Sequence, residues 1–394
     1  MKALVALTLL WSSAAFAQKS DCNAPMSEPI AYVTTPGYPF TPVSSPDGCW
    51  LFVAINSSNP KSSNGVAVFS RKGGKVTLKR LVPVEAGPAG LALTHDGKLL
   101  VAADESYVVF LDVARMISGK GDPILGWIDD GPSSGSVYVN TTADDEFLFV
   151  SDEGARAITV INLRRARTNG FKQDAIVGKI PVGNAPIALT FSPDGRWLYT
   201  TSQGVPDTMN WPLVCRPEWD PKAKQRFPEG AIYVVDVAKA KTDPGHAVAA
   251  TVPAGCSPVR LAITPDGERI FVTARNNNAV LAFDAGKLVS DGKHARIGEI
   301  PVGSSPVGIA VVDDGKKVIA THSNRFAREQ TARQELTVID AGRAKEGKAA
   351  VLGTIPAGIF PREVGVSPDK QTLFVSNYLS SELEVVDLKR LPVK

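Results

Sequence analysis

The stretch Ile180-Pro181-Val182-Gly183-Asn184-Ala185-Pro186-Ile187-Ala188-Leu189-Thr190-Phe191-Ser192-Pro193-Asp194-Gly195-Arg196-Trp197-Leu198-Tyr199-Thr200 decides the fold. It reads as a short apolar run, a Gly-x-x-Pro link, a second run, a turn built on Asp-Gly, and a third run. Asp and Gly tolerate the positive φ that a two-residue hairpin matching strand twist requires. A further run, Ile232 to Asp236, supplies the remaining strand.

The turn recurs along the chain. Its Asp positions are 47, 96, 144, 194, 266, 314 and 369, with steps of 49, 48, 50, 72, 48 and 55 residues. Ser45-Pro46-Asp47-Gly48, Thr264-Pro265-Asp266-Gly267 and Ser367-Pro368-Asp369-Lys370 show the motif most fully. The Gly-x-x-Pro phrase returns at Ile300 to Pro306 and Ile355 to Pro361. Seven units of about 48 residues with four strands each are the arithmetic of an all-β, seven-bladed β-propeller. A blade cannot bury both faces alone, so each must be sandwiched between two neighbours.

The last unit offers three strands: Glu363 to Ser367, Thr372 to Asn377 and Glu382 to Leu388. The N-terminal part offers one spare, Ile30 to Thr35, which is expected to complete the last blade and close the ring. The step of 72 places an insertion in blade 4, residues 202–230, rich in Trp and Pro: Trp211, Pro212, Pro217, Trp219 and Pro221. Residues 18–394 are expected to form one propeller domain. Lys2, the apolar run Ala3 to Trp11 and Ala15-Phe16-Ala17 read as a secretory leader over residues 1–17, so an exported protein, periplasmic or extracellular, is expected. No later apolar run approaches membrane-spanning length.

A formal charge of +3 on 394 residues gives no field for nucleic acid, and no such partner is expected. No phosphate-cradling glycine loop, dinucleotide fingerprint or Gly-x-Ser-x-Gly elbow occurs, and the four histidines are scattered. No cofactor and no metal is therefore expected, and the chain is expected to act as a monomer.

Alternating strand directions put the Gly-x-x-Pro links and the links between each blade's second and third strands on one face. The Asp-Gly hairpins lie on the other. Cys215 and Cys256 then share the first face and Cys22 and Cys49 the second, which makes Cys22–Cys49 and Cys215–Cys256 the natural disulfides among three possible connectivities. Arg260, Arg362 and Glu363 begin innermost strands and should face the channel mouth. Asp104, Asp152, Glu153, Arg275, Asn276, His322, Asn377 and Tyr378 should join them from the neighbouring turns, with Asn324 on an excursion of blade 6. Charges there are not needed for blade packing and suit an anionic ligand.

The units Ser-Pro-Asp-Gly, Leu-Phe-Val, Val-Ile-Asp and Ile-Pro-Val-Gly resemble the YVTN family of seven-bladed propellers, akin to lactonase and nitrous-oxide-reductase-like propellers. The resemblance spans residues 18–394 and implies the fold. Its lactonase members carry Pro-Arg-His where this chain has Pro258-Val259-Arg260 and Pro361-Arg362-Glu363. Three functions follow as expectations. The first is a binding module that takes a protein or small-molecule ligand on the loop face through Arg260, Arg275, Asn324, Arg362, Asn377 and Tyr378. The second is a lactonase-like hydrolase with Arg260 and Arg362 holding the substrate and Glu363 or His322 as base. The third is an accessory partner of a redox or metal enzyme.

Overall fold

The second strand of each blade, b when the strands are lettered a to d outward from the channel, is the most continuously apolar run, and both its faces are covered. In Leu51-Phe52-Val53-Ala54-Ile55 every residue is buried. A strand packed on one side would alternate; one sandwiched between sheets does not. The computed structural model describes residues 21–56, 64–327, 329–391 and 393. The expected leader, and Arg328 on the blade-6 excursion that carries Asn324, lie outside the described residues.

Seven four-stranded antiparallel sheets form the blades, each running a to d from the channel outward. In blade 1 these are Tyr38–Ser44, Trp50–Asn56, Gly65–Lys72 and Lys75–Pro83; in blade 5, Pro258–Ile263, Arg269–Ala274, Ala279–Asp284 and Arg296–Pro301. The seven inter-blade interfaces each carry an apolar cluster. Phe52 and Val68 meet Leu100 and Met116 between blades 1 and 2, and Phe374 and Val385 meet Val53 and Phe69 between blades 7 and 1.

The recurring turn is longer than a two-residue hairpin. Ser45 N–H donates to Trp50 O, so four residues form the loop. Ser45 Oγ accepts from Trp50 N, Asp47 Oδ1 accepts from Cys49 N, and Gly48 takes the left-handed φ of 71°. Thr94–Asp96, Thr264–Asp266 and Ser367–Asp369 repeat the bond between the two side chains. The Ser/Thr-x-Asp pattern is thus a self-satisfied polar knot. The Asp ending each Val-Ile-Asp run also has a purpose: Asp112 and Asp236 accept the N–H groups of Arg115 and Lys239, capping the short helices between strands c and d.

In blade 4 the inner strand is split into Asn184–Pro186 and Thr190–Phe191, leaving Ile187 to Leu189 outside the ladder. The expected insertion, between Gly204 and Ala231, is partly regular, with a hairpin pairing Leu213–Cys215 with Phe227–Pro228.

The ring closes as expected. Ile30–Thr34 pairs antiparallel with Glu382–Asp387, Ile30 opposite Val386 and Thr34 opposite Glu382. Cys22–Cys49 ties the leading segment to blade 1. Arg71 of blade 1 donates to Thr372 of blade 7 at 2.6 Å, and Arg390 donates to Met26 O at 2.6 Å. No helix among the described residues is long and apolar enough to cross a membrane.

Candidate functional site: an arginine-lined funnel under a pinned strap

Five of the seven innermost strands start with an irregularity. The ladder shifts between Pro39 and Pro42, Ser136 and Tyr138, Pro258 and Leu261, Pro306 and Ile309, and Pro361 and Glu363. Such bulges re-aim the side chain that follows. Just before the proline, Ala185, Ser257, Ser305 and Phe360 hold φ of 47°, 53°, 52° and 57°. Left-handed backbone at non-glycine residues costs energy and concentrates where a ring of side chains must be aimed.

The re-aimed residues are Phe40, Val137, Ile187, Val259 and Val307 in blades 1 and 3 to 6, all lining one cavity of about 300 Å³. Blade 2 has Ala89 at the equivalent sequence position. Blade 7 breaks the pattern with Arg362, which lines the same cavity. Glu153, Gln203, Arg260, Arg275, Arg325 and Glu363 supply the rest of its polar lining.

One position further on, Arg260 and Glu363 reach each other across blade 6, where Gly308 stands in the equivalent place. Arg260 Nε donates to Glu363 Oε2 at 3.1 Å and Nη2 to Oε1, and both residues are buried. The guanidinium lies 4.7 Å from the Tyr138 ring centroid, while its Nη1 is buried without an acceptor. Arg362 rests instead in an aromatic box, 4.0 Å from the Phe40 centroid, 5.2 Å from Tyr378 and 5.8 Å from Phe360. Burial, with the charges of Arg325 and Arg260, outweighs the pull of Glu363 and brings its pKa down to about 10, so it stays cationic at neutral pH. Burial also lowers Arg325 and raises Glu153, the latter against the four arginines.

Arg275 is the anchor of the blade-4 strap. Its Nε lies 2.9 and 3.0 Å from the Glu218 carboxylate oxygens, and Nη2 donates to Gln203 Oε1 at 2.8 Å. Asn276 Nδ2 donates to Arg216 O at 2.6 Å, and Cys215–Cys256 bonds the strap to blade 5. Three neighbouring strap residues are therefore fixed to one rim. Yet Trp219 is 75% exposed, and Leu213 and Val214 also face solvent. Replacing Cys215 and Cys256 with serine is expected to leave the blades intact and speed tryptic cleavage after exposed Lys222, Lys224 and Arg226 by at least about tenfold, because two non-covalent anchors then hold the strap. Time courses of limited proteolysis measure this; unchanged cleavage would mean that Glu218 and Asn276 suffice.

Of the residues picked out by sequence, Glu153, Arg260, Arg275, Arg362 and Glu363 meet at the cavity, and Tyr378 packs on Arg362. His322 does not line it. His322 is buried with Nε2 3.2 Å from Gly303 N and 2.7 Å from Thr337 Oγ1, and burial lowers its pKa to about 4. It braces a link rather than facing solvent as a base. Asn377 is buried too, its Nδ2 donating to Glu384 Oε2 at 2.9 Å. Asn324 serves its own turn, with φ 47° and its N–H on Ser304 O. Glu363 is engaged on both oxygens by Arg260. Asp104 and Asp152 are buried between strands rather than in the lining. Arg325, Gln203, Phe40, Phe360 and Glu218 complete the site unforeseen. Arg325 had a sequence signal, the excursion of blade 6; Glu218 had none. Among the described residues no group of His, Cys, Asp and Glu is placed to hold a metal.

No family model matches the chain. Antigen Lp49 of Leptospira interrogans is 25% identical over 218 residues, which is 54% of this chain and 41% of that protein. The matched part thus spans well under half of that relative's length. Two solved structures share the fold with TM-scores of 0.65. One is hydrazine synthase of Kuenenia stuttgartiensis, 19% identical over 92% of this chain and 97% of that one. The other is a chain in a crystal structure of the mitotic checkpoint complex, 14% identical over 97% and 99%. These likenesses establish a seven-bladed propeller.

Proposed function

We propose that this chain is an exported interaction propeller that recognises a protein partner on its loop face, around the funnel mouth and the blade-4 strap. The observation that carries the reading is the strap itself. Three anchors hold it to blade 5, yet it holds Leu213, Val214 and Trp219 out to solvent. Exposed aromatic side chains on a rigid support lose little entropy when a partner covers them. The two disulfides suit an oxidising compartment outside the cytoplasm. A hydrolase has less to work with, since Arg260 occupies Glu363 and His322 is turned away.

A photo-crosslinking side chain at Trp219 is expected to capture one discrete partner from the exported proteins of the source cell. The same probe at Lys98, on the hairpin face, should capture none. Equal capture from both faces, or none from Trp219, would sink the proposal.

A further inference from the structure

The funnel has a chemistry that a partner lying on the strap does not need. Five blades put an apolar side chain at the re-aimed position, and blade 7 puts Arg362 there. Among the described residues, neither Arg362 nor Arg325 has a hydrogen-bond acceptor for its guanidinium, and the buried Arg260 Nη1 has none either. Buried donors are almost always satisfied, so Arg260 Nη1 calls for an acceptor from outside the chain, and the half-buried guanidiniums of Arg362 and Arg325 line the same cavity beside it. The aromatic box keeps Arg362 from swinging onto Glu363, which Arg260 already occupies.

Charge and size define that acceptor. Arg260, Arg275, Arg325 and Arg362 face three carboxylates, Glu153, Glu218 and Glu363, leaving one cation uncompensated. A monoanion balances the site; a dianion overshoots it, and an ammonium group is repelled. Half of the lining is apolar, with Ile187, Val259 and Val307 packed together as one cluster. A cavity of about 300 Å³ is at the small end for organic ligands. Planar guanidinium edges match a carboxylate.

We infer that the funnel binds a small organic monocarboxylate, its carboxylate held by Arg362, Arg325 and Arg260 Nη1 and its apolar body lying on Ile187, Val259 and Val307. This goes beyond the partner reading and shares with it only the loop face.

Titration calorimetry with hexanoate tests it, with hexanol, hexylamine and inorganic phosphate as comparators. Hexanoate is expected to bind one to one, about tenfold or more tighter than hexanol or hexylamine, and phosphate should not displace it. Arg362→Leu restores the apolar residue the other blades use, so the parent's thermal midpoint should be kept. It should weaken hexanoate about tenfold or more and leave hexanol unchanged. Hexanol binding as tightly as hexanoate, displacement by phosphate, absence of hexanoate binding, or an Arg362→Leu variant of undiminished affinity would each overturn the inference. Trp219→Asp separates the two readings, because it should abolish partner capture and leave hexanoate binding intact. Hexanoate failing while capture persists refutes the carboxylate site alone.

Discussion

Replacing Lys179 with methionine is expected to lower the unfolding free energy at pH 7 by about 3 kcal/mol. Lys179 reaches in from strand d of blade 3 to two fully buried carboxylates. Its Nζ lies 3.3 Å from Asp130 Oδ1 and 3.2 Å from Asp152 Oδ2. Ser136 Oγ bridges the pair at 3.1 and 3.2 Å, and Thr159 donates to Asp152 at 2.7 Å. Burial, and then the neighbouring Asp130, push the Asp152 pKa up to about 8. Asp152 is already largely protonated at pH 7, so without the ammonium the carboxylate charge that remains in the pair is left uncompensated in a dry site, which is far worse than never having buried it. The Lys179 side chain is 37% exposed, so the low end of the range for broken buried pairs applies.

The pH dependence has a definite sign. A carboxyl with a raised folded pKa holds a proton that the unfolded chain releases near pH 4. Its stabilising contribution is full below about pH 4 and is lost as pH rises through about 8. Asp104, raised by burial to about 6, and Glu384, raised by burial to about 7, act in the same direction. From these groups the parent should melt lower at pH 8 than at pH 5. The Lys179→Met deficit should be larger at pH 8, where Asp152 begins to lose its proton beside Asp130, than at pH 5, and Asp152→Asn added to it should recover part of the loss. Urea unfolding at the two pH values measures all of this. A variant with the parent's midpoint at pH 7 would show that the ammonium compensates nothing.

Removing the chain up to Thr34 is expected to lower the thermal midpoint by about 10 °C or more and to cause aggregation. The truncation strips the outer strand from blade 7, uncovers the apolar cluster that Ala31 and Val33 pack against, and deletes the Cys22–Cys49 bond. It also leaves Glu382–Asp387 as an open edge that pairs readily with another chain. Replacing Cys22 and Cys49 with serine removes only the tether and should cost about 2–4 kcal/mol. Melting with parallel light scattering distinguishes the two, and a truncated chain that melts like its parent would show that closure contributes little.

The architecture was legible because it is periodic. Seven Asp turns report blade number, and a missing fourth strand at one end with a spare at the other reports the closure. The same logic placed Cys215 and Cys256 on one face and Cys22 and Cys49 on the other, and both bonds form. The site was only half legible, because periodicity says which loop a residue occupies and not where its side chain points. Arg260, Arg362 and Glu363 stood out by putting charge where packing needs none. His322 and Asn377 end their b strands in the same register, but their side chains turn back to Gly303 and Glu384. Glu218 reaches Arg275 from 57 residues away through a strap with no repeat to constrain it.

The strand that finishes the last sheet is, among the described residues, made before any other. Ile30 must wait for Val386, so the seal joins two segments that lie far apart in the sequence. Loop-closure entropy grows only logarithmically with length, so the wait is a matter of rate more than of final stability. Until it ends, blade 7 lacks its outer strand and the ring can spread. Bonding Cys22 to Cys49 once blade 1 has formed parks the early strand beside its eventual neighbour, turning a search through the whole chain into a local docking step.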